Sequence, residues 1–159
     1  MTLSLLRVDD RLVHGQVVVG WAQALRAEHV VLVDDRISAS EWERELYALA
    51  MPPGLLLTIA SVEDAVKDVR RWIAAHERTI VVTADVSTVA RLCDAAPDIT
   101  QVNVGGMHAG VGREQRLPYV FMSGTEADAL RELESRGVSV TAQDVPTAKP
   151  IPLSALVTA

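Results

Sequence analysis

Ten residues near the start of the chain, Arg7 to Gln16, read RVDDRLVHGQ. They set two carboxylates, two guanidinium groups, an imidazole and a glycine between apolar flanks. A neutral imidazole is a good nucleophile near pH 7. His14 is therefore a candidate to carry a phosphoryl group. Gly15 allows the backbone to approach closely beside it. A helix starting at Gln16 brings unpaired N–H groups and a positive dipole end, a ready anion site. Arg11 adds a planar donor fork suited to phosphate. Asp9 or Asp10 would accept from an imidazole N–H and fix its tautomer, or would orient Arg11. The same three residues also fit a solvated turn with a weak local ion pair.

The elements that must hold this loop can be read from the apolar pattern. Leu3–Val8 predicts a strand. Gln16–Leu25 predicts a helix, with Val17, Trp21 and Leu25 on one face. Val30–Val33 is a second strand. Ser40 opens a helix as a capping box with Glu43, and Trp42, Leu46 and Leu49 face inward. Pro52-Pro53-Gly54 stops it, and Leu55–Ile59 is a third strand. Ser61, with Asp64, caps a helix whose apolar face is Val62, Val66, Val69 and Ile73. Thr79–Val82 is a strand, Ser87–Ala96 a helix closed by Pro97, and Ile99–Val104 the fifth strand. Tyr119–Met122 is a short sixth one. Thr125 and Asp128 cap a helix that runs to Arg136 and stops at Gly137. Val138–Ala142 closes the sheet, and an irregular proline-rich tail follows from about Val145.

Val- and Leu-rich strands alternating with amphipathic helices predict an α/β fold. The expectation is one domain over residues 1–159, an open and mostly parallel β-sheet with helices on both faces. In such sheets the site lies beyond the carboxyl ends of the strands. There the pattern places Arg7–Gln16, Asp34-Asp35-Arg36, Ser61, Thr83–Asp85 and Gly105-Gly106-Met107-His108.

The chain has 159 residues, 49% of them hydrophobic and only 4% aromatic, so its core must be aliphatic. Its net charge of −6 argues against a nucleic-acid binder, which needs a basic face. The single cysteine, Cys93, excludes an intramolecular disulfide. With no signal peptide and no run of apolar residues long enough to span a bilayer, the expected compartment is the cytoplasm.

Two further residues sit at strand ends. Thr83 would donate to a phosphate oxygen or cap the local turn, and His108 would line the pocket or be an idle loop histidine. Gly105, Gly106, Gly110 and Gly112 suggest a mobile loop that closes over the site, without the spacing of a dinucleotide or Walker loop. Trp21, Trp42 and Trp72 read as core or interface, Cys93 as packed, and His29 and His76 as residues without a role. A homo-oligomer is compatible with the pattern, and an exposed Trp42 would mark an interface. Three rival chemistries fit less well. A receiver-type phosphoacceptor needs an aspartate and a lysine where Ser61 and His108 stand. A histidine phosphatase needs Arg-His-Gly where this chain has Val-His-Gly. A metal-assisted hydrolase would need Asp9, Asp10, Asp34 and Asp35 around one ion.

The run RVDDRLVHGQVVVGW closely resembles the active-site segment of the IIB subunits of the mannose/fructose/sorbose family of the bacterial phosphotransferase system. The likeness continues through VVLVDD, SVEDAV, VNVGGMH, GREQRLPYVFMSGTEADALRELESRGVSV and VPTAKPIPL, and so covers essentially the full length. The resemblance implies an open α/β domain acting as a protein-phosphohistidine–sugar phosphotransferase. The histidine matching His14 takes a phosphoryl group from a phosphohistidine on the IIA subunit. It passes the group to a sugar entering through the IIC and IID membrane subunits. By the same match Arg11 steadies the phosphate, while Asp10, Gly15 and Gln16 shape the loop. No metal or organic cofactor is implied, and the location implied is the cytoplasm, peripherally at the inner-membrane transporter. A phosphorylation-dependent regulatory module without sugar transport is the alternative. One departure is DDRISASE, Asp34 to Glu41, where the family often has Asp-Glu-Val-Ala-Asn-Asp. Arg36 there adds a positive charge that bears on docking and sugar specificity rather than on phosphoryl chemistry.

Overall fold

The computed structural model describes residues 3–12 and 15–157, and of residues 15–17 the backbone. The strands are β1 (Leu3–Val8), β2 (His29–Val33), β3 (Leu56–Ala60), β4 (Thr79–Thr83), β5 (Gln101–Val104), β6 (Arg113–Leu117), β7 (Val120–Ser123), β8 (Ser139–Ala142) and β9 (Ile151–Pro152). The helices are α1 (Gly15–Leu25), α2 (Asp35–Ser38), α3 (Glu41–Ala50), α4 (Val62–Ala74), α5 (Val86–Ala95), α6 (Gly124–Ser135) and α7 (Leu153–Leu156). Seven strands form one sheet in the order β3-β2-β4-β1-β5-β8-β9, parallel except at β8–β9.

Register aligns the ends that matter. Ala60, Val33, Thr83, Val8, Val104 and Ala142 form one row across the sheet, so every connection after a parallel strand leaves from one edge. After β1 the chain turns toward β2; after β5 it turns the other way, toward β8. The crevice between the ends of β1 and β5 is thus the topological switch point, where open α/β sheets bind ligands. The ladder continues past the strand ends. The Gly105 N–H donates to the Val8 carbonyl at 2.7 Å, and the Asp10 N–H to the Gly106 carbonyl at 2.8 Å.

Both faces are covered. α4, α5, α6 and α7 bury Val69, Trp72, Val89, Leu92, Cys93, Leu130, Leu133, Leu153 and Leu156 on one side. On the other, α1 and α2 bury Val18, Trp21, Ala22 and Ile37 against Val30, Leu32, Ile80 and Val82.

Five sequence expectations change. Trp42, Leu46 and Leu49 face solvent rather than the core, at 67, 54 and 85% exposure. Tyr47 packs inward instead. Ser40 does accept from the Glu43 N–H, but the Glu43 carboxylate is taken by Arg36 at 2.6 and 2.8 Å. The helix after β7 is capped by Ser123 with Glu126 in a reciprocal capping box, not by Thr125 and Asp128. The short sixth strand is one arm of a hairpin, β6–β7, that lies outside the main sheet. The expected irregular tail forms β9 and α7, with Leu153 and Leu156 almost wholly buried. Among the described residues, no helix is long and apolar enough to cross a membrane.

Candidate functional site

Val13 and His14 lie outside the described residues. The loop that carries them is held from both sides. Asp9 follows β1 directly, and its N–H continues the ladder to the Thr83 carbonyl at 2.9 Å. α1 begins at Gly15, so its first backbone N–H groups follow His14 directly. Between them Leu12 takes a left-handed backbone conformation, φ 56°. For a leucine that costs about 1–2 kcal/mol. Leu12 recovers it by burying its side chain, 7% exposed, and by donating its N–H to the Asp9 carbonyl at 2.9 Å.

Asp9 is fully buried and serves two arginines. Arg7 reaches its Oδ2 through Nη2 at 3.0 Å and Nε at 3.3 Å. Arg11 grips both oxygens, Nε to Oδ1 at 2.9 Å and Nη2 to Oδ2 at 2.8 Å, and its backbone N–H adds a third bond at 3.0 Å. Burial raises the Asp9 carboxyl, but the Arg11 hydrogen bonds and the charges of Arg7 and Arg11 outweigh it and hold it below the usual carboxylate value. It is an anion at any physiological pH. The Arg11 proton is held more tightly than usual, chiefly by the Asp9 hydrogen bond and against partial burial. Asp144, from the segment after β8, takes a second bond from Arg11 Nη2 at 2.9 Å. Among the described residues no hydrogen bond uses Arg11 Nη1, and the side chain is 26% exposed.

Arg7 is the buried anchor of this arrangement, 1% exposed. Its Nη1 donates to the Asn103 side chain and, at 2.7 Å, to the Gln143 carbonyl; Nη2 donates to the Asp144 carbonyl at 2.9 Å. Its guanidinium carbon lies 5.1 Å from the centre of the Trp21 ring. One cation thus joins β1, β5 and the turn after β8. Burial lowers its hold on the proton, and Asp9 partly restores it. Gly105 and Gly106 follow from this. A Cβ on Gly105 would strike the Arg7 guanidinium and Asp9, and one on Gly106 would strike Arg11. The start of this loop is pinned against the cluster, which corrects the expectation of a mobile glycine loop there.

Asp10 meets the imidazole of His108. His108 Nδ1 lies 2.6 Å from its Oδ1, and the His108 N–H donates to Oδ2 at 2.7 Å. Arg113 closes the rim: Nη1 donates to the His108 carbonyl at 2.7 Å and reaches Asp10 at 3.5 Å, while Nε and Nη2 hold Glu126 at 2.9 and 2.7 Å. The His108 side chain is 69% exposed.

Asp9, Asp10, Arg11 and His108 therefore come together at the β1–β5 crevice, with Gly15 and Gln16 opening the helix beside them. Thr83 adjoins this cluster through its backbone, since its carbonyl accepts the Asp9 N–H. It is fully buried, in register with Val8 and Val33, and its hydroxyl has no partner among the described residues. It does not cap the turn either, since Asp85 caps α5 through the Thr88 N–H at 2.8 Å. The weak solvated turn is excluded by the complete burial of Asp9. Among the described residues the four aspartates do not gather into a metal-holding set. Asp34 caps α2 through the Ile37 N–H at 2.9 Å, and Asp35 accepts from the Val62 N–H at 2.8 Å. Arg36 spends its charge on Glu43, at the start of α3. Sequence reasoning passed over Arg7, Asn103, Arg113, Glu126 and Asp144. A lone arginine inside an otherwise apolar strand was the available signal for Arg7.

Comparison with known proteins places this geometry. The family model "PTS system sorbose subfamily IIB component" matches residues 3–159. The N-acetylgalactosamine-specific phosphotransferase enzyme IIB component 1 of Escherichia coli (strain K12) is 32% identical over 145 residues, 91% of each chain. The PTS system mannose-specific EIIAB component of the same organism is 29% identical over 147 residues. Those residues are 92% of this chain but 46% of that longer protein, so this chain spans about half its length. The crystal structure of the IIBSor domain of the sorbose permease from Klebsiella pneumoniae superposes with a TM-score of 0.88, at 27% identity, covering 96% of this chain and 94% of that one.

Proposed function

This chain belongs to the sorbose subfamily of IIB components of the phosphotransferase system, and from that premise we propose that it is a phosphocarrier working through His14. His14 accepts a phosphoryl group from a phosphorylated IIA subunit. It then passes the group to a sugar of the mannose/fructose/sorbose class entering through membrane subunits of the IIC and IID type. The observation that carries the reading is the buried Asp9 clamp. It holds the Arg11 guanidinium in a fixed plane, two residues before the loop of Val13 and His14 in sequence, with Nη1 unused among the described residues.

In the first step a neutral His14 ring nitrogen attacks phosphorus in line. The donor's P–N bond breaks, and its electron pair returns to the donor imidazole. Little covalent work falls to the protein, so positioning and charge stabilisation carry the catalysis. Arg11 Nη1 and the first N–H groups of α1, at Gly15 and Gln16, are the donors for the equatorial oxygens. Because Asp9 holds the other edge of Arg11, the fork arrives already oriented. In the second step a sugar hydroxyl attacks phosphorus, loses its proton to solvent or a base, and releases His14 as a neutral imidazole. Asp10 fixes His108 at the rim that a partner's reacting group must pass.

Incubation with phosphorylated IIA is expected to give an acid-labile, alkali-stable phosphoryl group located by fragment mass on His14, and none in His14→Ala. No label from a donor shown to be competent overturns the reading.

A further inference from the structure

α3 turns an apolar stripe to solvent. Trp42, Leu46 and Leu49 stand at i, i+4 and i+7 and are 67, 54 and 85% exposed, and no residue of the helix is fully buried. A stripe with this spacing ordinarily covers a core. Here Tyr47 meets the inner cluster, and the Arg36–Glu43 pair ties α2 to α3, so the helix is fixed with its stripe outward. The three side chains expose on the order of 400 Å² of surface, the size of the largest apolar patch on a typical monomer, which is often functional. Glu41 and Glu45, both exposed, run beside the stripe and outnumber the exposed Arg44 between them. An open groove of about 610 Å³ follows between α3 and β3, lined by Glu41, Arg44, Ala48, Leu57 and Ile59.

Area and charge select the occupant. Two copies joined stripe to stripe would bury about 800 Å² in total, below the ~1,200 Å² of a stable specific interface. A two-fold axis through the stripe would also set Glu45 against its own copy. A bare anionic lipid surface repels a chain of net charge −6 with glutamates at the contact. The complementary chemistry is an aliphatic anchor between lysines and arginines. The cytoplasmic segments of membrane proteins carry that excess of Lys and Arg.

We propose that α3 docks an amphipathic, basic cytoplasmic segment of the membrane subunits that accept the phosphoryl group. The proposal rests on the phosphocarrier reading above. β3, beside α3, stands three strand spacings from β1, about 14 Å. Docking at α3 therefore leaves the β1–β5 crevice open to the donor, and the carrier stays moored while its site is loaded.

The test is co-sedimentation with inverted membrane vesicles that carry the IIC and IID subunits, beside vesicles of the same lipids without them. Two double variants are compared with the parent, Trp42→Gln/Leu49→Gln and Glu41→Lys/Glu45→Lys. All four residues are exposed, and thermal melting checks that the fold is kept. At least about tenfold weaker binding to the subunit vesicles is expected from each double variant, with His14 labelling by phosphorylated IIA unchanged. Unchanged binding in both variants overturns the proposal. So does equal, variant-sensitive binding to the bare vesicles, which assigns the stripe to lipid. So does a parent that sediments as a dimer and variants that sediment as monomers, which assigns it to a second copy. Loss of labelling in the parent, with variant-sensitive vesicle binding retained, overturns the phosphocarrier reading and leaves the docking face standing.

Discussion

Arg7 and Arg11 share one carboxylate but not one role. Arg7 is sealed inside, and removing it leaves the Asn103 side chain and two carbonyls short of their donor and Asp9 with Arg11 alone. Arg7→Met is expected to lose about 3–5 kcal/mol in urea denaturation, the usual cost of breaking a buried pair from one side. Arg11 is partly exposed, and Asp9 keeps Arg7 when it goes. Arg11→Ala is expected to retain the fold and slow phosphoryl transfer at least about tenfold in single-turnover assays. Unchanged transfer removes Arg11 from the mechanism. Asp9 sets an acid limit on the whole arrangement. Its folded-state pKa is depressed, so its stabilisation is complete above the ordinary carboxylate value of about 3.9 and fades as the pH falls through the lower folded value. Urea midpoints measured from pH 6 down to pH 3 should drop in the parent, and that part of the slope should be missing in an already weakened Asp9→Asn. The Asp9–Arg11 bonds were legible in the sequence because the partners stand two residues apart. Arg7 to the Asp144 carbonyl spans 137 residues, and no local pattern announces such a pair.

Elements divide along the same line. The parallel strands were legible because burial on both faces demands unbroken Val and Leu. α3 was read with its stripe on the wrong side, since spacing defines a stripe and not what covers it. The hairpin was half-read. β6, REQRL, is too charged to look like a strand, and its place is set by β7 and by Arg113. Arg113 is the fastening of this element, tying Glu126 on α6 to the His108 carbonyl and Asp10. Arg113→Ala is expected to raise hydrogen exchange at the His108 amide about fivefold, the equivalent of one hydrogen bond of ~1 kcal/mol. An unchanged rate would mean that Asp10 alone holds that loop.

At the scale of the molecule, the last turn of chain belongs to the core. Prolines at 146, 150 and 152 hid it, because they suppress the periodicity by which helices and strands are recognised. Leu153 is nonetheless fully buried with Leu130, Leu133 and Leu156 in one cluster. Leu153→Ala is expected to cost about 2–5 kcal/mol in urea denaturation, where a frayed tail would cost nothing measurable. The expected open α/β architecture and the gathering of Asp9, Asp10, Arg11 and His108 at the strand ends were both visible beforehand. The long-range fastening of that gathering was not.

The main sheet ends differently on its two sides. β9 is two residues long, runs antiparallel to its neighbour and carries Pro152, with Pro150 just before it. Proline offers no N–H, and so short a strand gives an incoming chain nothing to pair with. β3 has no such guard: it is five residues long, runs LLTIA and leaves Leu56 61% exposed. Lateral growth of the sheet into aggregates therefore has a direction. In concentrated solution it is expected to start at β3, and Leu56→Lys is expected to slow the rise of light scattering.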